Sequence, residues 1–158
     1  MRTFRLHTSL WLDKPLEEVF EFFADAHNLQ EITPPFLSFE VLAPRPVPMH
    51  VGQTIDYRLR VRGLPLSWRS EITAWEPPYR FVDEQVRGPY RAWVHEHRFS
   101  ERDGKTLAED SVCYAVPGGS LVHRLFVERD VRKIFEYRKQ RLEELFGRVE
   151  AGDIPRAA

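Results

Sequence analysis

The segment RAWVHEHRFS, residues 91–100, places two histidines in the middle of a predicted apolar strand face. Side chains alternate between the two faces of a strand. The residues that share one face here are Trp93, His95, His97 and Phe99. A buried imidazole without a hydrogen-bond partner is costly, so each histidine needs either a polar partner or an open cavity. The neighbouring strands and any covering helix must therefore bring polar groups or open space to this point.

Length and composition limit the class of protein. The chain has 158 residues, which is enough for one domain with a substantial core. Apolar residues make up 42% and the formal net charge is −1, so neither disorder nor electrostatic recruitment of nucleic acid is indicated. The single cysteine, Cys113, excludes an internal disulfide and fits a cytoplasmic location. We expect no signal peptide and no apolar run of the ~20 residues that span a bilayer, hence no integral membrane association.

Alternation of polar and apolar residues, interrupted by turns that contain Gly and Pro, predicts about seven strands. Their ranges are 3–12, 36–42, 53–62, 66–75, 79–87, 91–100 and 105–116. Two short helices are expected between the first and second strands, at 15–25 and 26–32, and a long helix at 121–148. An antiparallel meander needs cover on one face, and the long helix is large enough to provide it. The prediction is one α+β domain at 1–149, followed by a flexible tail at 150–158.

Hairpin registers estimated from turn lengths place carboxylates beside the first of the two histidines. A turn at 101–104 puts Asp110 opposite His95, and a turn at 88–90 puts Asp83 opposite the same residue on its other side. These pairings predict a polar row across three strands. Two flanking carboxylates favour the imidazolium, so we expect His95 to be charged at neutral pH and to act as a fixed hydrogen-bond donor.

Arg138 extends this polar row to the terminal helix. It occupies the apolar stripe of that helix, between Phe135 and Leu142. An arginine that faces a core either extends its head group to solvent or meets carboxylates. Asp83 and Asp110 are the expected partners.

Four interpretations of this cluster remain open. It could be a structural network that ties the sheet to the helix, or a cavity floor that orients the headgroup of an amphipathic ligand. In a third interpretation the cluster is catalytic, with His95 as general acid or base and Asp83 and Asp110 beside it. In the fourth, nitrogens of His95 and His97 and an oxygen of Asp110 bind a metal ion. We expect no metal, because His-x-His on one strand is a weak signal and Arg138 would oppose a cation.

The order of elements, β-α-α-β-β-β-β-β-β-α, resembles the START-like superfamily, also called SRPBCC. The resemblance covers nearly the whole chain. It is carried by EEVFEFFAD (17–25), NLQEITPPF (28–36), WEPPYRFVDEQVRGPYRAWVHEH (75–97) and IFEYR (134–138). These segments are most similar to a bacterial subgroup of ligand-binding SRPBCC proteins without an established ligand. The resemblance implies a helix-grip fold, in which a curved sheet wraps around a C-terminal helix and encloses a cavity for a small molecule.

We therefore predict that the chain binds a small apolar or amphipathic molecule and needs no cofactor. The expected lining residues are Tyr57, Leu59, Trp68, Ile72, Trp93, His95, His97, Tyr114, Phe135 and Arg138. One alternative is a cofactor-free cyclase or dehydratase acting on a polyketide-like or aromatic substrate, as in related START-like families. No catalytic motif of those families matches this sequence residue by residue, so binding is favoured over catalysis. Another alternative is an interaction protein without a ligand. The expected assembly is a monomer or homodimer.

Overall fold

The strands form one antiparallel sheet in the computed structural model, which describes residues 1–156. They are β1 (Phe4–Leu12), β2 (Glu40–Val41), β3 (Thr54–Val61), β4 (Leu64–Glu76), β5 (Arg80–Arg87), β6 (Ala92–Arg102) and β7 (Lys105–Ala115). Across the described residues, their order in the sheet is β1-β7-β6-β5-β4-β3-β2. The chain therefore runs as a meander from β2 to β7, and β1 pairs along its whole length with β7.

The three predicted helices are present, and a short 3-10 helix that was not predicted follows the second of them. Helix α1 (Leu16–Phe23) and two 3-10 helices (Ala26–Ile32 and Pro35–Leu37) connect β1 to β2. After β7, α2 (Gly119–Val122), a π-helical segment (His123–Val127) and α3 (Glu128–Phe146) follow one another without a break. These three segments together are called the C-terminal helix. The predicted helix-grip α+β architecture is confirmed. No helix within residues 1–156 is both long and apolar enough to cross a bilayer.

Helix α1 fills one end of the space between the sheet and the C-terminal helix. Pro15 precedes it, and Glu17 and Glu18 in its first turn favour the positive end of the helix dipole. Phe20 on its buried face lies 5.3–6.1 Å, between ring centroids, from three aromatic residues of the sheet. Phe146, at the end of α3, closes the same cluster. This packed core occupies the space beside the last turns of α3 and leaves its first half free to border a cavity.

The predicted strand at 36–42 is wrong over most of its length. Pro34 and Pro35 begin a 3-10 turn instead, and Ser38 adopts a left-handed backbone with φ 46°. A strand cannot continue through these conformations. Pairing is limited to Glu40–Val41 against β3.

The hairpin between β6 and β7 also differs from the prediction. Its turn is the two-residue Asp103-Gly104, with φ of 54° and 74°, which is the geometry that matches strand twist. Relative to the predicted turn at 101–104, the register shifts by two residues. His97 therefore lies opposite Asp110. The faces are unchanged because side chains alternate with a period of two.

The register on the other side of β6 is as predicted, with Asp83 opposite His95. At the C-terminus, Ala151–Asp153 forms a 3-10 turn, and the Arg102 guanidinium donates to the carbonyl of Arg156. The flexibility of the tail at 150–158 stays a prediction, and residues 157–158 lie outside the described part of the chain.

Candidate functional site

A cavity of about 400 Å³ lies between the sheet and the C-terminal helix. Strands β3 to β6 form one wall, the C-terminal helix forms the opposite wall, and the segment 29–39 covers one side. Most of the lining is aliphatic or aromatic. The polar lining residues of β5 and β6 and of α3 are Asp83, His95, His97 and Arg138.

The structure places most of the predicted lining residues at this cavity. They are Tyr57, Leu59, Trp68, Trp93, His95, His97, Phe135 and Arg138. Whether they contact a ligand stays a prediction.

Two predicted lining residues, Ile72 and Tyr114, lie elsewhere. Ile72 is 1% exposed and packs in a cluster with Val41 and Ile55, next to an irregularity in the pairing of β4 with β5. The ring of Tyr114 is buried under the π-helical segment, and its hydroxyl lies 2.8 Å from Nε2 of His123. Both residues have the predicted apolar, inward orientation, but packed neighbours separate them from the cavity.

Sequence reasoning missed several lining residues. Val127 and Ile134 are seven residues apart on the C-terminal helix, and this spacing was a signal that they share one face. Tyr90 follows Gly88-Pro89 in a turn, where no periodicity predicts its direction. Its backbone N–H donates to the side chain of Gln85 and its carbonyl accepts from that side chain, which holds the turn against the cavity.

The polar cluster at the cavity contains two histidine–carboxylate pairs. Nε2 of His95 lies 2.7 Å from Oδ1 of Asp110, and Nε2 of His97 lies 2.7 Å from Oδ2 of Asp83. Each pair runs diagonally between strands, because the residue directly opposite His95 on β7 is Val112. The predicted straight row is therefore wrong, although the His95–Asp110 contact that it implied is present.

Arg138 joins this cluster from α3. Its Nε and Nη2 atoms donate to the two carboxylate oxygens of Asp110 at 3.2 and 3.1 Å. The guanidinium also lies 5.2 Å from the ring centroid of Phe23. The predicted partnership with Asp110 is confirmed, whereas the carboxylate of Asp83 bonds to His97. The same arginine borders a second, more polar cleft of about 390 Å³ between α3 and β1.

The carboxylates of the cluster are ionised. Burial alone would raise the pKa of Asp110, but Arg138 and hydrogen bonds from both histidines hold it well below its usual range. For Asp83, burial is likewise opposed by the hydrogen bond from His97, and its pKa is lowered.

The pKa values of the two histidines shift in opposite directions. Burial disfavours the imidazolium of His97, but its hydrogen bonds to Asp110 and Asp83 raise its pKa above the ordinary value. Burial, followed by repulsion from His97, lowers the pKa of His95 in spite of its bond to Asp110. The rings stack with their centroids 3.7 Å apart, so positive charges on both rings would repel each other. The predicted rise in the pKa of His95 is therefore wrong in direction, and the higher pKa of the pair belongs to His97.

His95 therefore presents a neutral ring to the cavity. A carboxylate oxygen only accepts, so Nε2 of His95 carries the proton and donates to Asp110. Within residues 1–156, Nε2 of His27 is the fully buried side-chain nitrogen that lacks a hydrogen-bond partner. Nδ1 of His95 is also unbonded but does not belong to this fully buried class, so it keeps some accessible surface. Since His95 lines the cavity, this lone pair is accessible from it.

Asp83, His95 and His97 also lie close enough to offer three ligand atoms to a metal ion, within 4.8 Å of one another, so the aspartate of this cluster is Asp83 and not Asp110. A cation there would displace the proton that Nε2 of His97 donates to Asp83. It would also meet Arg138, whose Nη2 lies 3.3 Å from Nδ1 of His97. These groups therefore fit a hydrogen-bonded network better than a metal site, and we assign no chemistry to a metal.

Comparison with known proteins gives the same fold. Among solved structures, protein Ms6760 from Mycobacterium smegmatis is 18% identical, with a TM-score of 0.66 over 89% of each chain. Major latex-like protein 151 from Panax ginseng is 14% identical, with a TM-score of 0.67 over 91% of this chain and 97% of that one. Protein CV1439 from Chromobacterium violaceum is 17% identical, with a TM-score of 0.67 over 94% and 100%. At identities this low, the structural similarity shows a shared fold and nothing more.

A search of curated proteins found no match. In contrast, residues 12–143 match a family model described as polyketide cyclase / dehydrase and lipid transport. The match spans most of the chain, including every strand from β2 to β7 and most of α3. The protein therefore belongs to the polyketide cyclase / dehydrase and lipid transport family, with the helix-grip fold of SRPBCC proteins.

Proposed function

We propose that the protein binds one small apolar or amphipathic molecule between the sheet and the C-terminal helix. The observation that carries this proposal is the cavity of about 400 Å³, with mostly apolar walls and a few polar groups gathered in one cluster. Sites for small molecules have this size and this distribution of polarity. The proposed setting is the cytoplasm, with the protein as a monomer or homodimer.

The cavity argues against a purely structural or interaction protein. Protein interiors are packed to nearly crystalline density, and unfilled apolar volume loses dispersion contacts and stability. The helix-facing side of the sheet is well packed elsewhere, as the cluster around Phe20 shows. Space of this volume, left open beside a dense core, is better explained by an occupant.

The aromatic wall suits a flat or apolar ligand body. Trp68, Tyr90 and Trp93 lie with ring centroids 4.7–5.6 Å apart at tilted or near-perpendicular angles. The indole N–H of Trp68 donates to Oγ of Ser70 at 2.9 Å, so this wall does not need the ligand to satisfy that N–H. The rings offer apolar area, and polar recognition is left to the cluster around His95.

Tryptophan fluorescence and thermal unfolding test this proposal. Because Trp68 and Trp93 line the cavity, a bound molecule is expected to change emission and raise Tm. We would titrate palmitate, 1,4-naphthoquinone and phenanthrene, and we expect at least one to bind with a Kd in the micromolar range. Leu59→Trp should fill the cavity and abolish binding.

Leu64→Trp is the matched control, because Leu64 lies on the neighbouring strand but is 68% exposed. It should bind like the unchanged protein. The proposal is contradicted if no compound alters emission or Tm, or if Leu59→Trp binds as well as the control.

A second candidate function is proton-transfer catalysis of the cyclase or dehydratase type, without a cofactor. The observation that favours it is the Asp110–His95 pair, which orients a neutral imidazole with a free ring nitrogen toward the cavity. Such a group can take a proton from an acidic C–H bond of a bound substrate. If a binder with such a bond is found, incubation in D₂O should show deuterium uptake that His95→Gln abolishes. Uptake at the same rate in both proteins would exclude this role for His95.

A further inference from the structure

We propose that the cavity selects an uncharged headgroup that donates a hydrogen bond, such as a hydroxyl, to His95, and that it discriminates against carboxylates. This inference rests on the proposed function, because it requires the cavity to hold a ligand. It reverses the expectation from sequence, in which a charged His95 acted as a hydrogen-bond donor.

The atom that a ligand would meet is Nδ1 of His95. The short bond from Nε2 of His95 to Asp110 places the ring proton on that nitrogen. In the neutral ring the other nitrogen, Nδ1, is then an acceptor. Among the described residues the hydrogen bond of this ring runs through Nε2, and His95 lines the cavity. A ligand that buries Nδ1 must offer it a donor, because an unsatisfied buried acceptor is costly.

Charged and titratable groups surround His95 from three strands and from α3. They are Asp83 on β5, His97 on β6, Asp110 on β7 and Arg138 on α3. His97 pairs with Asp83 at 2.7 Å, and Arg138 pairs with Asp110 at 3.1 and 3.2 Å. The charges thus balance without a second proton on His95. Burial and, after it, the charge of the adjacent His97 lower the pKa of His95, which favours an unprotonated acceptor on its ring.

The cavity offers no unpaired cation to a negatively charged ligand among the described residues. Arg138 and His97 are the cationic lining residues in the described chain, and each already bonds a carboxylate of the protein. The hydroxyl of Tyr57 is neutral, since burial and the nearby Asp83 raise its pKa. A ligand carboxylate would therefore be buried without an unpaired cation, and the carboxylate of Asp83 would repel it. A hydroxyl brings a donor and no charge.

Aromatic side chains lie beside His95 and suit an apolar ligand body. Trp93 precedes His95 on the same face of β6, and the ring of Phe135 meets His95 nearly edge-on with centroids 5.6 Å apart. The acceptor therefore lies next to aromatic surface. An apolar ring system that carries one hydroxyl matches both features.

Three compounds with the same ring system test the inference: 2-naphthol, 2-naphthoate and naphthalene. At pH 7.5, calorimetric titration should show 2-naphthol binding about 3–10-fold more tightly than naphthalene, which is the contribution of one hydrogen bond. 2-Naphthoate should bind more weakly than both. His95→Phe should reduce the affinity for 2-naphthol to that for naphthalene. His7→Phe, at an exposed histidine of β1 outside the cavity lining, should change neither affinity.

The outcomes separate the two proposals. Tighter binding of 2-naphthoate than of 2-naphthol, or an unchanged preference for 2-naphthol in His95→Phe, overturns the inference and leaves the binding function standing. Failure of all three compounds to bind contradicts the binding function itself. Nitrogen-15 NMR of the unchanged protein gives a measurement that does not depend on the variant: Nδ1 of His95 should be unprotonated at pH 7.5, and a protonated Nδ1 overturns the inference.

Discussion

Replacing Arg138 by methionine should destabilise the protein strongly, because it removes a cation from the buried cluster. The residue is 7% exposed, and its guanidinium bonds both carboxylate oxygens of Asp110. Methionine keeps a long, unbranched stem and can still contact Phe23. The change therefore tests the charge more than the volume.

The expected loss follows from what remains around Asp110. Removing one partner of a buried ion pair costs about 3–5 kcal/mol, because the other charge stays buried. We expect the lower end, about 3 kcal/mol, since Nδ1 of the cationic His97 still lies 3.3 Å from Oδ1 of Asp110. For a chain of this size, that loss lowers Tm by roughly 6–12 °C.

The loss should also depend on pH. Arg138 helps to lower the pKa of Asp110, and a carboxyl whose folded pKa is lowered stabilises the fold above its unfolded value of about 3.9. That stabilisation disappears as pH falls toward the folded value. The difference between the two proteins should therefore be largest near neutral pH and shrink below about pH 4.

Urea unfolding followed by tryptophan fluorescence between pH 7 and pH 3 measures both effects. Arg132→Met is the control, because this arginine of the same helix is exposed and pairs with Glu128 in solvent. Its effect should stay under about 1 kcal/mol. A loss under 1 kcal/mol for Arg138→Met, or one that is the same at pH 7 and pH 3, would refute the reasoning.

Three further changes test other parts of the structure. The raised pKa of His97 implies a stabilisation that is fully present below about pH 6.5 and is lost as pH rises through the folded-state pKa. The loss of unfolding free energy in His97→Gln, measured by urea unfolding, should therefore narrow toward pH 9. A loss that does not depend on pH would contradict a charged His97. Tyr114→Phe leaves His123 without its partner and should cost about 1–2 kcal/mol in thermal unfolding, with ligand affinity unchanged because Tyr114 lies outside the cavity lining. Phe20→Ala should cost about 3–5 kcal/mol in urea unfolding, and a loss below 1 kcal/mol would show that its aromatic contacts do not matter.

Local patterns in the sequence were sufficient to predict the elements and their faces. The alternation in β3 and β6 and the turn residues around them predicted strands that the structure confirms. Helical spacing predicted the inward face of α3, including Arg138. These features depend on residues a few positions apart, so a linear sequence contains them. The helix-grip arrangement followed from covering one sheet face and from the resemblance to SRPBCC proteins.

The arrangement within the site depended on tertiary structure. A single turn, Asp103-Gly104, shifted the register of β6 and β7 by two residues, and a shift of two preserves the faces that periodicity reports. The hydrogen bonds of His97 to Asp110 and Asp83 then decided which histidine has the raised pKa. Charge depends on distances of a few ångströms between residues far apart in the chain, and these distances exist only after the strands and α3 have packed. The sequence by itself thus determined which polar residues face inward, and the packed structure decided which histidine has the raised pKa and which has the lowered one.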